Sequence, residues 1–198
     1  MFDWILSVMQ SAGYAGLFFL MLLENVFPPI PSEVVIPLAG FLSATGQMIA
    51  VVGILVATLG ATLGALFWYY IGHWIGADRL RRFAERHGKW IGLRPDDLDK
   101  AEVWFQRHGG RAVFLGRMIP GIRTFISIPA GLAGMKLGPF LAWTLLGSLF
   151  WTVALFGLGY VLEANYVRVA VWLDPVSKFV LIAIVAAYLW NVLLRDRK

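Results

Sequence analysis

Four ionisable side chains lie in strongly apolar stretches of this sequence. They are two acids, Glu24 and Glu33, and two arginines, Arg117 and Arg123. A charge at the centre of a bilayer costs roughly 2.5–3.5 kcal/mol on insertion scales, so ionisable residues in apolar segments are functional candidates by default. An arginine donates two parallel hydrogen bonds to a phosphate group. Desolvation raises the pKa of a glutamate, so a buried glutamate binds a proton more readily than one in water. These residue types therefore predict anion binding combined with proton exchange.

The alternative role for the same four side chains is structural, as buried Glu–Arg pairs that only hold segments together. Buried ion pairs are poor sources of stability because desolvation offsets their attraction, which favours the functional interpretation. Two hydroxyl side chains beside these charges, Ser32 and Thr124, are further candidate ligands for a phosphate.

The composition is that of a membrane protein. Of the 198 residues, 59% are apolar and 15% are charged, whereas soluble domains have about 45–50% and about 25%. The net charge of +5 is better explained by basic residues on a cytoplasmic side than by a nucleic-acid partner.

Cysteine is absent, which excludes disulfides, thiolate metal sites and cysteine nucleophiles; no metal site and no cofactor are predicted. The acidic amino terminus is unlike a signal peptide, so no cleavage is expected.

The apolar runs predict an all-α integral membrane protein with one domain over residues 1–198. Four runs are long enough to cross a bilayer, namely residues 5–23, 48–75, 137–162 and 176–194. Basic residues concentrate in residues 78–111 and in the carboxyl-terminal tail, so both are predicted to be cytoplasmic. Within the charged loop, the segment from Pro95 to Arg107 is predicted to form an amphipathic helix on the membrane surface.

Two further apolar segments, residues 24–46 and 112–135, are predicted to enter and leave the membrane on the same side, as re-entrant helical hairpins. Proline removes a backbone donor and breaks a helix, and such breaks are tolerated at membrane depth only beside protein or a water-filled cavity. The predicted breaking residues are Pro28 and Pro31 in the first hairpin, and Pro120 and Gly121 in the second.

An internal repeat supports this organisation. A shift of 92 positions places Pro28 on Pro120 and Pro37 on Pro129, and the spans that follow share a pentad, residues 64–68 and 147–151. Each half is then a hairpin followed by a span, and the two halves are inverted, as in secondary transporters. The alternative is chance similarity between segments rich in Gly, Pro and Leu. A stripe of small residues on the second span is predicted to pack against another helix, namely Gly53, Ala57, Gly60, Ala61 and Gly64.

Two motifs resemble the DedA family, also described as SNARE-associated or VTT-domain proteins. They are Glu-Asn-Val-Phe-Pro-Pro-Ile-Pro-Ser-Glu at residues 24–33 and Gly-Arg-Met-Ile-Pro-Gly-Ile-Arg at residues 116–123. The resemblance implies a bacterial inner-membrane protein with two opposed re-entrant hairpins. It also implies translocation of phospholipids or undecaprenyl phosphate, coupled to protons or another ion.

Carried over by position, the motif acids are Glu24 and Glu33, and the motif arginines are Arg117 and Arg123. Some members carry another acid about a dozen residues after the second motif glutamate, and residues 41–47 have none here. Any proton coupling must therefore rest on Glu24 and Glu33.

The predicted function is translocation of undecaprenyl phosphate between leaflets, with the arginines holding the phosphate and protonation of a glutamate releasing or resetting the arginines. Two alternatives remain: a phosphatidylethanolamine translocase and a proton-coupled small-ion transporter. An enzyme is not predicted, because His73 and Ser148 lack an orienting acid and a nucleophile elbow. The coupling ion, the direction of transport and the formation of a homo-oligomer stay open.

Overall fold

Helices account for nearly all of the chain that the structure describes. This computed structural model describes residues 2–27, 32–91, 95–120 and 122–162, and no strand occurs within those ranges. The helices are α1 Phe2–Val26, α2 Ser32–Ala44, α3 Ala50–Ile91, α4 Pro95–Arg117, α5 Ile122–Phe125, α6 Ser127–Leu132 and α7 Leu137–Leu162. The prediction of an all-α fold is confirmed.

Three helical segments are long and apolar enough to cross a membrane, and they correspond to the first three predicted spans. They are Trp4–Val26, Ala50–Ala77 and Leu137–Leu162. The fourth predicted span, the basic tail and the predicted hairpin breakers Pro28, Pro31 and Gly121 lie outside the described residues.

Two glycines bend the long helices. Gly13 has φ +54° and ψ −127° within α1, and Gly76 has φ +67° and ψ 154° within α3. Positive φ is readily adopted only by glycine, which explains the residue type at both bends. Gly76 marks the point where the apolar part of α3 ends and a basic helical extension begins.

The charged segment 78–111 differs from the predicted loop because it is helical on both sides of residues 92–94. The extension of α3 continues to Ile91, and α4 begins at the predicted Pro95 but ends at Arg117 rather than near Arg107. Apolar residues in the second half of α4, such as Val113, pack into a hydrophobic core, so the helix continues beyond its amphipathic part. The segments predicted as hairpins thus each contain the end of one long helix and a shorter helix or helices that follow.

The part of α1 after Gly13 runs in the same direction as α3. Near its start, the Tyr14 hydroxyl accepts a hydrogen bond of 2.6 Å from the Ile49 backbone N–H. Near its end, Asn25 packs against Gly64, where an added Cβ would lie 2.5 Å from the Asn25 Cβ. This part of α1 therefore begins beside the start of α3 and ends beside the middle of its apolar part. The small-residue stripe of α3 is buried in this region, as predicted.

The end of α4 has the same relation to α7. Gly110 packs against the Trp143 ring, and an added Cβ on Gly147 would lie 2.9 Å from the Arg117 Cβ. Phe114, between these two contacts along α4, lies near the Trp143 ring with a centroid separation of 6.2 Å. α4 therefore ends beside the middle of α7.

The two long apolar helices, α3 and α7, run antiparallel. Gly53 at the start of α3 contacts the ring of Phe156 near the end of α7. Tyr69, late in α3, stacks on Phe140 near the start of α7 with a centroid separation of 4.4 Å. α1 and α4 consequently approach the middle of the α3–α7 pair from opposite ends.

Glycine allows the short helices to pack in close contact with the long helices. An added Cβ on Gly159 of α7 would lie 1.9 Å from the Pro37 carbonyl oxygen of α2. An added Cβ on Gly72 of α3 would lie 2.3 Å from the Ile128 carbonyl oxygen of α6. Side chains at these positions would collide with backbone, so only glycine permits this approach. The helix that follows α1 thus packs on α7, and the helix that follows α4 packs on α3.

Two hydrophobic cores result, one toward each end of the molecule. The first contains residues of α1 and α2 together with Ala61 of α3 and Phe156 of α7. The second contains Ala65 of α3, Phe140 of α7 and residues of α4 and α6. The boundary between the cores falls at the level of Gly64 and Gly147, where the polar residues lie.

Candidate anion-binding site

Five polar side chains meet at the boundary between the two cores. All are buried, with exposed fractions of 0–6%. They come from the ends of α1 and α4 and from the short helices α5 and α6: Glu24, Asn25, Arg117, Arg123 and Ser127. Burial of so many polar groups midway along apolar helices requires partners for each of them.

Arg123 and Glu24 form a buried ion pair. The Arg123 Nη2 donates to Glu24 Oε1, and both side chains are 6–7% exposed. The pair links α5 to α1 and therefore connects the two halves of the chain. Sequence analysis placed both residues in the site, and the structure brings them into direct contact.

Arg117 is held by neutral groups. Its Nη1 donates to Asn25 Oδ1 at 3.2 Å, and its Nη2 donates to Ser127 Oγ at 3.1 Å. Its Nε is buried and has no hydrogen-bond partner among the described residues. No carboxylate of the described chain pairs with it, whereas Arg123 has Glu24.

Asn25 is oriented by its own hydrogen bonds. Its Nδ2 donates to the Met21 carbonyl oxygen and to Glu24 Oε2, both at 3.2 Å, and this turns Oδ1 toward Arg117. Its backbone carbonyl accepts a hydrogen bond of 2.7 Å from Trp68 Nε1 of α3. Asn25 therefore couples the ion pair, the uncompensated arginine and α3.

The other predicted residues take no part in the hydrogen bonds of this network, although Glu33 lies near enough to Glu24 for their charges to repel. Glu33 is half-buried in the first turn of α2, and no hydrogen bond or ion pair joins it to a described residue. Ser32, the first residue of α2, is fully buried, and its hydroxyl has no partner in the described part. Thr124 is buried beside Arg123 in α5, and Pro120 lies in the turn before α5.

Sequence reasoning missed Asn25, Ser127 and Trp68 as site residues. A signal for Asn25 was present, because the repeat offset of 92 positions pairs Asn25 with Arg117, which are hydrogen-bonded to each other. Nothing in the local sequence indicates Ser127 or Trp68, since their roles depend on how α6 and α3 pack.

A polar face of α7 lies next to Arg117. Thr144 Oγ1, Ser148 Oγ and Trp151 Nε1 are buried and have no hydrogen-bond partner among the described residues. Gly147, on the same face, contacts the Arg117 side chain. Elsewhere within the described ranges, no group of three or more His, Cys, Asp or Glu side chains is placed to hold a metal ion.

Comparison with known proteins identifies the family. The family model described as the VTT domain matches residues 30–161. The chain belongs to the VTT-domain, or DedA, family. No solved structure matches the chain.

Curated relatives are similar over nearly the whole chain. An alkaline phosphatase-like protein of Lactococcus lactis subsp. cremoris is 41% identical over 98% of this chain and 91% of its own length. The undecaprenyl phosphate transporter A of Staphylococcus aureus is 38% identical over 94% of this chain and 92% of its own. The Bacillus subtilis protein of the same name is 33% identical over 82% of this chain and 78% of its own. The sequence resemblance to the DedA family is thus confirmed.

Proposed function

We propose that this VTT-domain protein moves a lipid with a phosphate headgroup, most specifically undecaprenyl phosphate, between the leaflets of the bacterial inner membrane. The observation that carries the proposal is the environment of Arg117. It is a buried cation, 2% exposed, whose partners among the described residues are the neutral groups of Asn25 and Ser127. A phosphate group at this position would supply the missing negative charge.

The charge balance of the site supports an anionic substrate. Two guanidinium groups and one carboxylate meet between the cores, and Glu24 is already paired with Arg123. An unpaired charge inside a protein is strongly unfavourable, so an anion is favoured over a cation or a neutral headgroup. Arginine suits a phosphate because its planar fork donates hydrogen bonds in a fixed geometry.

We further propose that the two halves form an inverted repeat, with the end of α1 and α2 as one re-entrant hairpin (residues 24–46) and the end of α4 with α5 and α6 as the other (residues 112–135). The approach of α1 and α4 from opposite ends of the α3–α7 pair supports this arrangement. So does the close packing of α2 on α7 and of α6 on α3. In such a repeat, rocking of one half against the other opens a central site alternately to each side.

Proton coupling is proposed to run through the ion pair. A phosphate that reaches Arg123 competes with Glu24 for the same guanidinium. Glu24 then loses its opposite charge while still buried, and a buried carboxylate without a partner takes up a proton. Ser32 and Thr124 are proposed as further phosphate ligands, and Glu33 as a second proton carrier at the mouth of the site.

The charged helical segment and the carboxyl-terminal tail are proposed to be cytoplasmic. The chain has no cysteine, so single cysteines introduced at Gln47 and Lys136 test this directly. These exposed residues precede α3 and α7, at opposite ends of the helix pair. An impermeant thiol reagent should label Gln47→Cys only from outside and Lys136→Cys only from inside. Labelling of both from one side would contradict the inverted repeat.

The decisive experiment reconstitutes the purified protein in liposomes and measures leaflet exchange of undecaprenyl phosphate and of labelled phosphatidylethanolamine. The wild type should move undecaprenyl phosphate between leaflets, and a proton gradient directed into the liposomes should change the rate of this exchange. Arg117→Lys keeps the charge but loses the fork, so exchange should fall by roughly tenfold or more, the loss of a charge-assisted hydrogen bond. Arg111→Gln, an exposed arginine six residues earlier on α4, is the matched control and should retain full activity.

Three other outcomes would favour a different function for the protein. Movement of phosphatidylethanolamine alone would favour the phospholipid translocase. Proton flux without lipid movement would favour the small-ion transporter. Release of inorganic phosphate from the lipid would indicate hydrolysis, the activity that the name of the Lactococcus relative suggests for that protein.

A further inference from the structure

The face of α7 that packs against Arg117 carries buried polar groups that have no hydrogen-bond partner among the described residues. Thr144 is fully buried and Ser148 is 5% exposed. Their hydroxyls, and the indole N–H of Trp151, have no hydrogen-bond partner in the described part of the chain. Buried polar atoms in native proteins are nearly always paired, so three unpaired groups on one helix need an explanation.

These residues form one continuous strip with Gly147. Their spacing of three and four residues places them on a single face of the helix, over roughly 10 Å at 1.5 Å per residue. Gly147 lies in the middle of the strip and contacts the Arg117 Cβ and Cγ. The Arg117 side chain, whose Nε is unpaired, therefore packs against this strip.

The threonines of α3 show that a buried hydroxyl on a helix need not be left without a hydrogen-bond partner. Thr58 donates to the Ile54 carbonyl at 2.7 Å, and Thr62 donates to the Thr58 carbonyl at 2.8 Å. Both satisfy their hydroxyls on the preceding turn, as buried threonines commonly do. Thr144 and Ser148 do not, although they are equally buried. Their hydroxyls are thus available to another group.

We propose that this strip of α7 is the second wall of the headgroup site, with Ser148 donating to the same phosphate as the Arg117 Nε. Thr144 and Trp151 contact the phosphate one helical turn to either side as it moves past Arg117. This inference rests on the proposed function and adds residues that neither motif contains. A phosphate monoester has three acceptor oxygens, enough to bind Arg117 and Ser148 at once. Inorganic phosphate shares this chemistry.

The test measures binding separately from transport. Binding of geranyl phosphate, a water-soluble lipid monoester, and of inorganic phosphate is measured on the purified protein by calorimetry. The variants are Ser148→Ala and Trp151→Phe, with Thr62→Val of α3 as the matched buried control. Ser148→Ala should weaken geranyl phosphate binding about tenfold, because it removes a hydrogen bond to a charged group. Its unfolding temperature should not fall, since the hydroxyl has no protein partner to lose.

The outcomes separate the two proposals. Weakened binding in both α7 variants at unchanged stability, with Thr62→Val like the wild type, supports the α7 wall. Weakening of inorganic phosphate binding to the same degree shows that the strip recognises phosphate itself; weakening for geranyl phosphate alone shows that it recognises the lipid monoester. Unchanged affinity in Ser148→Ala overturns the inference, even if the wild type translocates lipid. If the wild type binds neither ligand, the α7 wall is refuted; if it binds them but moves no lipid, only the proposed function fails.

Discussion

Substitution of Gly159 by alanine tests the close packing of α2 on α7. An added Cβ would lie 1.9 Å from the Pro37 carbonyl oxygen, whereas a carbon and a carbonyl oxygen in contact are about 3.3 Å apart. The two helices would have to separate by about 1.4 Å to restore that distance. Backbone cannot rotate away as a flexible side chain can, so the whole contact must shift.

The expected magnitude comes from two opposing effects. In an open helical position, Gly→Ala stabilises by about 1 kcal/mol through helix propensity. Overpacking costs typically 1–3 kcal/mol, occasionally more, and a clash with backbone lies at the upper end. Gly159→Ala should therefore destabilise by about 1–2 kcal/mol net. Gly157 is the matched control because nothing lies within 4 Å of its added Cβ, and Gly157→Ala should be stabilising.

The assay is reversible unfolding in mixed micelles, followed by circular dichroism for the wild type and both variants. The two alanine variants should shift the unfolding midpoint in opposite directions. Equal shifts, or a stabilising effect of Gly159→Ala, would show that α2 and α7 do not approach as closely as described. Gly72→Ala should behave like Gly159→Ala, because its Cβ would lie 2.3 Å from the Ile128 carbonyl oxygen.

Three further substitutions probe the polar layer and its surroundings. Glu24→Gln leaves Arg123 without its opposite charge and should lower the free energy of unfolding by about 3–5 kcal/mol; replacing both residues by methionine should recover much of this loss in the same unfolding assay. Trp68→Phe removes the donor to the Asn25 backbone carbonyl and should cost about 1–3 kcal/mol, and unchanged stability of this variant would contradict the hydrogen bond. Tyr69→Phe keeps the stacked ring but loses the hydroxyl bond to a backbone carbonyl, so thermal unfolding should show a loss of only about 1 kcal/mol.

The long helices could be predicted because their signal is local. Runs of apolar residues such as those from Ala50 to Ala77 and from Leu137 to Leu162 must be helical in a bilayer, where each backbone group needs an internal partner. The charges that interrupt such runs were visible for the same reason. Glu24, Arg117 and Arg123 were named from sequence, and they are among the buried residues of the site.

The length of α4 could not be predicted from its charge pattern. Its first half is charged and amphipathic, but the residues from Ala112 to Arg117 are apolar except for the last, and this change in composition predicts a boundary. The helix continues because Val113 is buried in the second core and Arg117 finds partners in Asn25 and Ser127. Tertiary contacts thus extend the helix beyond the end that the local sequence predicts.

The different partners of Arg117 and Arg123 could not be predicted from the sequence either. Both lie in similar motifs, and sequence analysis assigned them one function. Only the packing of α5 against α1 pairs Arg123 with Glu24, and only the contact between Arg117 and Asn25 leaves Arg117 with neutral partners. The unused hydroxyl of Ser148 likewise depends on its environment in α7, since the same residue type elsewhere on a helix bonds to the preceding turn.

The packing of α2 on α7 also has a consequence for biosynthesis. The face of α2 around Pro37 rests on Gly159 of α7, which the ribosome adds about 120 residues later. At 5–20 residues per second, α2 waits roughly 6–24 s for its partner. During that interval the first half of the chain has only its own core. The face of α2 that later packs on Gly159 must then be covered by lipid or by the insertion machinery. A nascent chain that stops after α3 therefore lacks the helix on which α2 packs, and the second half completes the first as it is made.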